Sequence, residues 1–460
     1  MSGIANLSTR LEQLVGSDRL RVSEAALQTF TIAGRAPVAV LKPRSAEEVA
    51  EIVSFAAAEK LAVVACGSRS KLEMGMPPQR YDLALDMTDL RQIAHYDPGD
   101  LTVSVDAGMP LSELAQTLAA KNQFLPLAVP CGATSTVGGA IASGIDSTLR
   151  QQYGTARDFL IGAEFVDGTG RLCKSGGRVV KNVTGYDLHK LLLGSLGTLG
   201  VITRLNFRTF PLPESRGAHL AAFPTMEAAL DFHASLLKTG LPFSNVELFA
   251  PEFAALLAES LNQAGYSVPE SLAIGEWHVF TSFEGNAGVM ARVQNELRGC
   301  SGQARASRSE ALDLQHTQLM NDALRESFDW LRRAVPGIAL LRIALPQLKP
   351  GDIAELRQLA SQWPPRPAFV LRACNVAYVA LLANGEAAQS NEALVRKVSE
   401  FFHCAETKQG SATLLCASAW LKDRADVWGA KRADFPLMQR VKQAFDPQNI
   451  FAPGRFVGGL

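Results

Sequence analysis

No block of like charge, no paired cysteines and no long apolar run occurs in this 460-residue chain. Each absence narrows the possibilities. Lys plus Arg and Asp plus Glu stand at 45 each, a formal net charge of zero. The basic excess that usually accompanies nucleic-acid binding is therefore missing. The seven cysteines (Cys66, Cys131, Cys173, Cys300, Cys374, Cys404 and Cys416) are scattered and form no C-x-x-C pair. Zinc and iron–sulfur ligation are left without support, and the thiols read as reduced. No stretch approaches the roughly 18 uncharged apolar residues that a spanning helix needs. The opening MSGIANLSTRLEQLVG holds no apolar core of signal-peptide length, since Arg10 and Glu12 interrupt it. A soluble, cytoplasmic protein is the expectation, with peripheral attachment at an inner membrane through a partner as its variant.

What is present is a globular composition, 47% hydrophobic and 20% charged, in a length suited to two or three domains. After a helical lead-in (Leu7 to Val15), Val38 to Leu41 reads as a strand. Ser45 with Glu48 three residues later forms a capping box for a helix with Ala46, Val49, Ile52, Val53 and Ala56 on one face. A second strand, Leu61 to Ala65, runs into the loop Cys66-Gly67-Ser68-Arg69-Ser70-Lys71. This is a βαβ unit with parallel pairing. Further strands are expected at Leu83 to Asp86 and Leu101 to Val105, with a helix from Leu111 to Ala120. Residues 126 to 158 read as a long irregular stretch, which is usually functional in a compact domain. Ile161 to Val166 and Arg171 to Lys174 flank the hairpin turn Asp167-Gly168-Thr169-Gly170. A short helix at Asp187 to Leu193 and a strand from Val201 to Phe210 close the unit. Beyond residue 215, helices (Met226 to Leu237, Phe253 to Ala264, and a long charged one from Glu310 to Arg333) alternate with β-like runs. Those runs are Trp277 to Phe283, Ile338 to Leu345, Phe369 to Leu371 and Ala377 to Leu382. Pro364 to Pro367 reads as a turn or short linker.

Three glycine-bearing segments carry the chemistry: 66 to 75, 130 to 144 and 194 to 202. Glycine lets main-chain N–H groups approach a ligand closely, and successive N–H groups form concavities suited to a pyrophosphate. The first loop lacks both the GxGxxG and the GxxxxGK[ST] spacing, and alone it reads as turn punctuation. Residues 130 to 144 offer hydroxyls and free N–H groups without one charged side chain, as an anion site requires.

Taken in order, G-S-R-S-K, P-x-G-x-T-x-T-V-G-G, Y-G-x-x-R-D, K-N-V-T-G-Y-D-L and G-S-x-G-x-L-G-V-I-T resemble the PCMH-type FAD-binding domain of the vanillyl-alcohol-oxidase superfamily. Within it the pattern is similar to the FAD-binding subunits of bacterial glycolate oxidases, relatives of the flavin D-lactate dehydrogenases. The ending F-D-P-x-x-I-F-x-P-G-R at 445–455 is typical of the same family. The resemblance implies an α+β fold in which a PCMH-type two-part FAD-binding domain (35–214) follows a lead-in (1–34). An α+β cap domain (215–440) comes next, and a C-terminal segment (441–460) returns to the flavin domain. It places Gly67, Ser68, Arg69, Ser70 and Lys71 in the first pyrophosphate loop. Pro130, Gly132, Thr134, Thr136, Gly138, Gly139, Ser143 and Gly144 would line the second stretch, continued by Gly154 and Asp158. Gly200, Val201 and Ile202 would lie near the adenine. Family members with covalent flavin usually attach it through a histidine in these segments; none occurs here, which implies noncovalent FAD.

The departures matter as well. Metal-assisted relatives that oxidise 2-hydroxy acids carry H-x-G-D-G-N and E-H-G segments, and both are missing. His278 and His403 stand without ligand partners, so no metal is expected and no catalytic base is identified. Arg342 and Arg372 have two readings, a bidentate clamp on a substrate carboxylate or an ion pair within the protein. Lys181 and Asn182 either approach the flavin or stabilise a turn, and Tyr186 either donates to substrate or flavin or, as expected here, is buried against a backbone acceptor. Cys66 and Cys131 flank the glycine loops, with no cation arrangement that compels a thiolate. The resemblance implies an FAD subunit of a glycolate-oxidising complex, beside a homologous catalytic flavoprotein subunit and an iron–sulfur subunit, passing electrons to a partner or quinone. The alternatives are a self-sufficient flavin dehydrogenase for D-lactate or another 2-hydroxy acid, and a non-catalytic scaffold.

Overall fold

Ser45 caps the first long helix with half of the expected box: its Oγ accepts the Glu48 N–H at 3.2 Å, while the Glu48 carboxylate accepts the Arg44 N–H at 2.8 Å instead of the Ser45 N–H. The helix Ala46–Glu59 ends at Lys60 in the left-handed region. In the computed structural model, which describes residues 2–178, 185–272, 275–334, 337–346, 349–363, 368–373, 375–381 and 388–460, this helix covers a four-stranded sheet. The strands are β1 (Leu20–Arg21), β2 (Ala39–Leu41), β3 (Val63–Cys66) and β4 (Leu83–Asp86). Val49, Ile52, Val53 and Ala56 are buried against β2 and β4, joined by Leu11 and Val15 of the lead-in helix Ser2–Val15. Burying each of the larger aliphatic side chains contributes about 1.5–3 kcal/mol. The crossover is parallel, but β2 and β3 are not neighbours: β4 lies between them, parallel to both.

The next unit is an antiparallel sheet. Its strands β5 (Ile93–Asp97) and β6 (Thr102–Asp106) are followed, after the small strand β7 (Gln123–Phe124), by β8 (Leu160–Val166), β9 (Leu172–Gly176) and β10 (Val201–Arg208). The order is β5-β6-β10-β8-β9, and β11 (Phe210–Pro211) pairs with β7. The β8–β9 hairpin is fixed by Asp167, whose Oδ1 accepts the N–H groups of Thr169 and Arg171. The expected irregular stretch 126–158 contains a helix, Val137–Ser143, capped by Thr136 Oγ1 on Gly139 N. Gly138 and Gly139 in its first turn hide it from sequence reading. Gly138 is there for packing, because a Cβ would stand 2.7 Å from the Ala107 Cβ.

From Ser215 onward one eight-stranded sheet takes over. Its strands are β12 (Ser215–Phe223), β13 (Phe243–Phe249), β14 (Trp277–Gly285), β15 (Arg308–Leu312), β16 (Ala339–Ala344), β17 (Ala368–Arg372), β18 (Val376–Leu381) and β19 (Ser411–Cys416). They run in the order β15-β12-β14-β13-β17-β18-β16-β19. Helices Met226–Lys238, Ala287–Gln303, Pro350–Ser361 and Ala388–Thr407 cover one face. Helices Pro251–Gln263 and Leu314–Ala334 cover part of the other. The remainder of that second face meets the first half of the chain around Asp146 and Tyr153. The long charged helix begins at Leu314 rather than Glu310. Glu310 belongs to the edge strand β15, where its carboxylate accepts the Ser271 N–H at 3.0 Å. Cys374 and Pro364 to Pro367 lie outside the described residues.

The chain then comes back. After the helix Phe435–Phe445, Val63 N donates to Ile450 O at 2.7 Å and Ala452 N to Val63 O at 2.9 Å. The ending is thereby laid along β3. Lys442, buried beneath it, donates to Thr198 O, Asp446 Oδ2 and Phe451 O.

Candidate functional site

Where β3 ends, the chain enters the loop 67–74 and meets the cap of the hidden helix. A Cβ on Gly67 would stand 2.0 Å from Thr136 Oγ1, so glycine is what allows the two segments to touch. Ser70 Oγ lies 3.2 Å from Ser135 Oγ, and the Lys71 ammonium donates to Ser135 at 2.5 Å. The third segment joins through Gly194 N to Ile141 O and Leu196 N to Ala142 O, both at 2.9 Å.

These contacts border an open cavity lined by Gly67, Ser68, Arg69, Ser70, Lys71, Thr136, Gly138, Gly139, Ser143, Gly200 and Ile202. Leu196, Gly197 and Arg455 complete that wall, with Ala65, Leu72, Met87 and Ala107 as apolar surface. Among the described residues, three cations (Arg69, Lys71 and Arg455) and no carboxylate border the cavity. That chemistry suits a ligand combining an anionic centre with flat apolar ends.

Other expected site residues go elsewhere. Pro130 borders a second cavity instead. Among the described residues, Gly132, Thr134, Gly144, Gly154, Asp158 and Val201 border neither of the two. Asp158 caps its own turn by accepting the Thr155 N–H at 2.7 Å, and Gly154 is packed directly against that carboxylate. Gly144 ends the hidden helix in the left-handed region against Gly194, and the Val201 side chain lies in the core beside Ile450. Thr134 is exposed on the turn that follows Cys131, and Gly132 N–H is held by Glu326. Lys181 and Asn182 lie outside the described residues. Tyr186 is 90% exposed, which corrects its expected burial: its backbone carbonyl, not its ring, is engaged, accepting from Leu188 N and Ser175 Oγ.

The second cavity shares Arg69, Ser70, Lys71 and Leu72 with the first. Its far wall comes from the helix Leu314–Ala334 (Phe328, Asp329, Arg332) and the eight-stranded sheet (Leu340, Leu415, Cys416). It therefore lies between the two halves of the chain. Lys71 makes no hydrogen bond to a carboxylate among the described residues, and burial lowers its pKa. Arg332 donates to Asp329 at 2.9 Å, and Arg333 pairs with the other Asp329 oxygen. Glu326 accepts the N–H groups of Cys131 at 2.6 Å and Gly132 at 3.3 Å, fixing this helix to the second glycine segment. Cys131, Glu326 and Asp329 lie within ligating distance of one another, yet both carboxylates are already committed in this way.

Arg342 and Arg372 are ion-paired inside the protein. Arg342 donates to Asp146 at 2.6 Å, and Asp146 also holds Arg150 and the Tyr378 hydroxyl. Arg372 is wholly buried, donates to Glu247 at 2.8 Å and lies over the rings of Phe328 and Tyr378. Neither borders the two cavities, so the ion-pair reading accounts for both. Burial pushes the Cys66 thiol up to about 12 and the Cys131 thiol up to about 11, the opposite of thiolate activation. His278 is buried and stacked on Phe249, while His403 is exposed. Glu326, Asp329, Arg332 and Arg455 went unrecognised in the sequence. The first three are hidden among the charges of one amphipathic helix; Arg455 had only its place in the P-G-R ending as a signal.

Comparison with known proteins agrees with this arrangement. Residues 37–176 match the model of the FAD binding domain, and residues 428–456 match the C-terminal domain of FAD linked oxidases. The chain is 24% identical over 437 residues to glycolate oxidase subunit GlcD of Bacillus subtilis, covering 91% of this chain and 88% of that one. It is 27% identical over 478 residues to a D-lactate dehydrogenase of Archaeoglobus fulgidus, covering 100% of both. Glycolate oxidase subunit GlcE of Escherichia coli is 37% identical over 166 residues, 36% of this chain and 47% of that one. Among solved structures, p-cresol methylhydroxylase superposes with a TM-score of 0.77 at 17% identity, covering 99% of this chain and 97% of that one, which speaks for the fold.

Proposed function

For a chain that carries the FAD binding domain and the C-terminal domain of the FAD linked oxidases, we propose the FAD-dependent oxidation of a 2-hydroxy acid to its 2-oxo acid. The observation that carries this reading is the meeting of three glycine segments around a cavity that, among the described residues, is bordered by three cations and no carboxylate, beside a second cavity at Lys71. The first cavity takes the dinucleotide, bound noncovalently, since no histidine borders either cavity among the described residues. Bound FAD supplies a two-electron acceptor, and the protein binds and orients it. Substrate occupies the second cavity, where Lys71 and Arg332, the latter already paired with Asp329, bring positive charge toward the substrate carboxylate. The apolar wall of Phe328, Leu340 and Leu415 excludes water from the reacting carbon.

Glycolate is the substrate we favour, with the chain working as a subunit beside a homologous flavoprotein and an iron–sulfur protein that relays electrons onward. A cytoplasmic site, peripheral to the inner membrane through those partners, accords with the lack of any helix long and apolar enough to cross a membrane among the described residues. A second reading is a self-sufficient D-lactate dehydrogenase, favoured by the end-to-end match with the archaeal enzyme against 166 residues shared with the GlcE subunit. The purified chain assayed alone with glycolate and D-lactate and an artificial electron acceptor separates them. Turnover of D-lactate by the lone chain supports the second reading. Glycolate turnover only when partner subunits co-purify supports the first.

A further inference from the structure

Arg455 lies in the returning C-terminal segment, where its N–H donates to Ala452 O at 3.2 Å, and it is only 3% exposed. A buried guanidinium is costly unless a counter-ion compensates its charge. Among the described residues no carboxylate is hydrogen-bonded to it: the Arg455 Nη2 donates to the carbonyls of Leu72 and Met74, and its Nε is buried without an acceptor. Glu73, the acid whose charge acts on it, makes no hydrogen bond to it and is exposed. Its backbone is held in place, since the Arg455 carbonyl accepts the Met76 N–H at 3.1 Å and the Trp428 indole N–H at 3.0 Å. The guanidinium borders the first cavity together with Arg69 and Lys71.

We propose that Arg455 is the counter-charge for the diphosphate of FAD, so that cofactor binding and docking of the C-terminal segment are thermodynamically coupled. The planar guanidinium fork suits phosphate oxygens, and the carbonyls of Leu72 and Met74 leave part of it free to face them. Because the same group also braces the loop 72–76, a bound diphosphate stabilises both the first glycine loop and the ending laid over it. Burial disfavours the charged form of this arginine, which an anion in the cavity reverses. The inference rests on the FAD reading above and names a residue outside the three glycine segments.

Apo protein titrated with FAD and with riboflavin, which lacks the diphosphate, provides the test, using wild type, Arg455→Gln and Arg455→Lys. The expected result is FAD affinity at least about tenfold weaker in Arg455→Gln, a smaller loss in Arg455→Lys, and riboflavin affinity unchanged. Hydrogen exchange on the wild-type chain supplies a readout that needs no variant: FAD is expected to slow the amides of residues 452–460. Equal FAD affinity in wild type and Arg455→Gln, an equal loss for FAD and riboflavin, or exchange at the C-terminus indifferent to FAD each overturns the proposal. Wild type that refuses FAD instead removes the flavin reading itself.

Discussion

The Lys71 ammonium reaches across 64 positions of sequence to donate to the Ser135 hydroxyl at 2.5 Å. One bond thus joins two loops that in sequence are separate turns. A charge-assisted hydrogen bond of this kind contributes about 1.5–3 kcal/mol. Lys71→Met is expected to weaken FAD binding by about one to two orders of magnitude, measured by flavin fluorescence titration. Unchanged affinity would show that the loops hold their places without it.

Glu326 ties the helix Leu314–Ala334 to the second glycine segment through the N–H groups of Cys131 and Gly132. Cys131 has a φ of 57°, an uncommon conformation for a side-chain-bearing residue, and this clamp helps hold it there. Glu326→Ala is expected to lower the unfolding free energy by about 1–3 kcal/mol, read from the denaturant midpoint.

Gly67→Ala places a methyl group 2.0 Å from Thr136 Oγ1, so the loop or the helix cap must move. Loss of FAD binding together with a lower melting temperature is the expected outcome. A variant that binds FAD as tightly as wild type would mean that the two segments need not touch.

Acid sensitivity follows from three buried histidines. Burial lowers His219, His233 and His278 from 6.5 to about 4. Between those values the unfolded chain binds protons that the folded chain refuses, so stability is complete above about pH 6.5 and declines as pH falls toward 4. Each histidine contributes at most about 1.4 kcal/mol per pH unit to that slope. His233→Gln, which loses the titration while keeping a donor toward Ala373 O, is expected to flatten the acid limb in denaturation series run from pH 7 to pH 4. An unaltered slope would contradict the assignment.

Much of the first half was legible because local chemistry decides it. The Ser45–Glu48 cap, the apolar face of Val49, Ile52 and Val53, and the Asp167 hairpin each state their conformation within a few residues. The strand β12 was not legible: from Gly217 onward it is buried on both faces, so no alternation marks it. The glycine motifs announced a site but mixed two roles. Gly67 borders the cavity, whereas Asp158 caps its own turn at Thr155 and Gly154 packs against its carboxylate. Arg455 was not legible because a cation's lack of a hydrogen-bonded acid is a property of the fold, not of its neighbours in sequence.

The central claim is that the three glycine segments close on one dinucleotide. Flavin content of the purified, folded chain tests it most directly, with absorbance before and after acid precipitation. The account predicts a yellow protein that holds a single FAD per chain and releases all of it to the supernatant. A folded, colourless chain that fails to take up added FAD would contradict it.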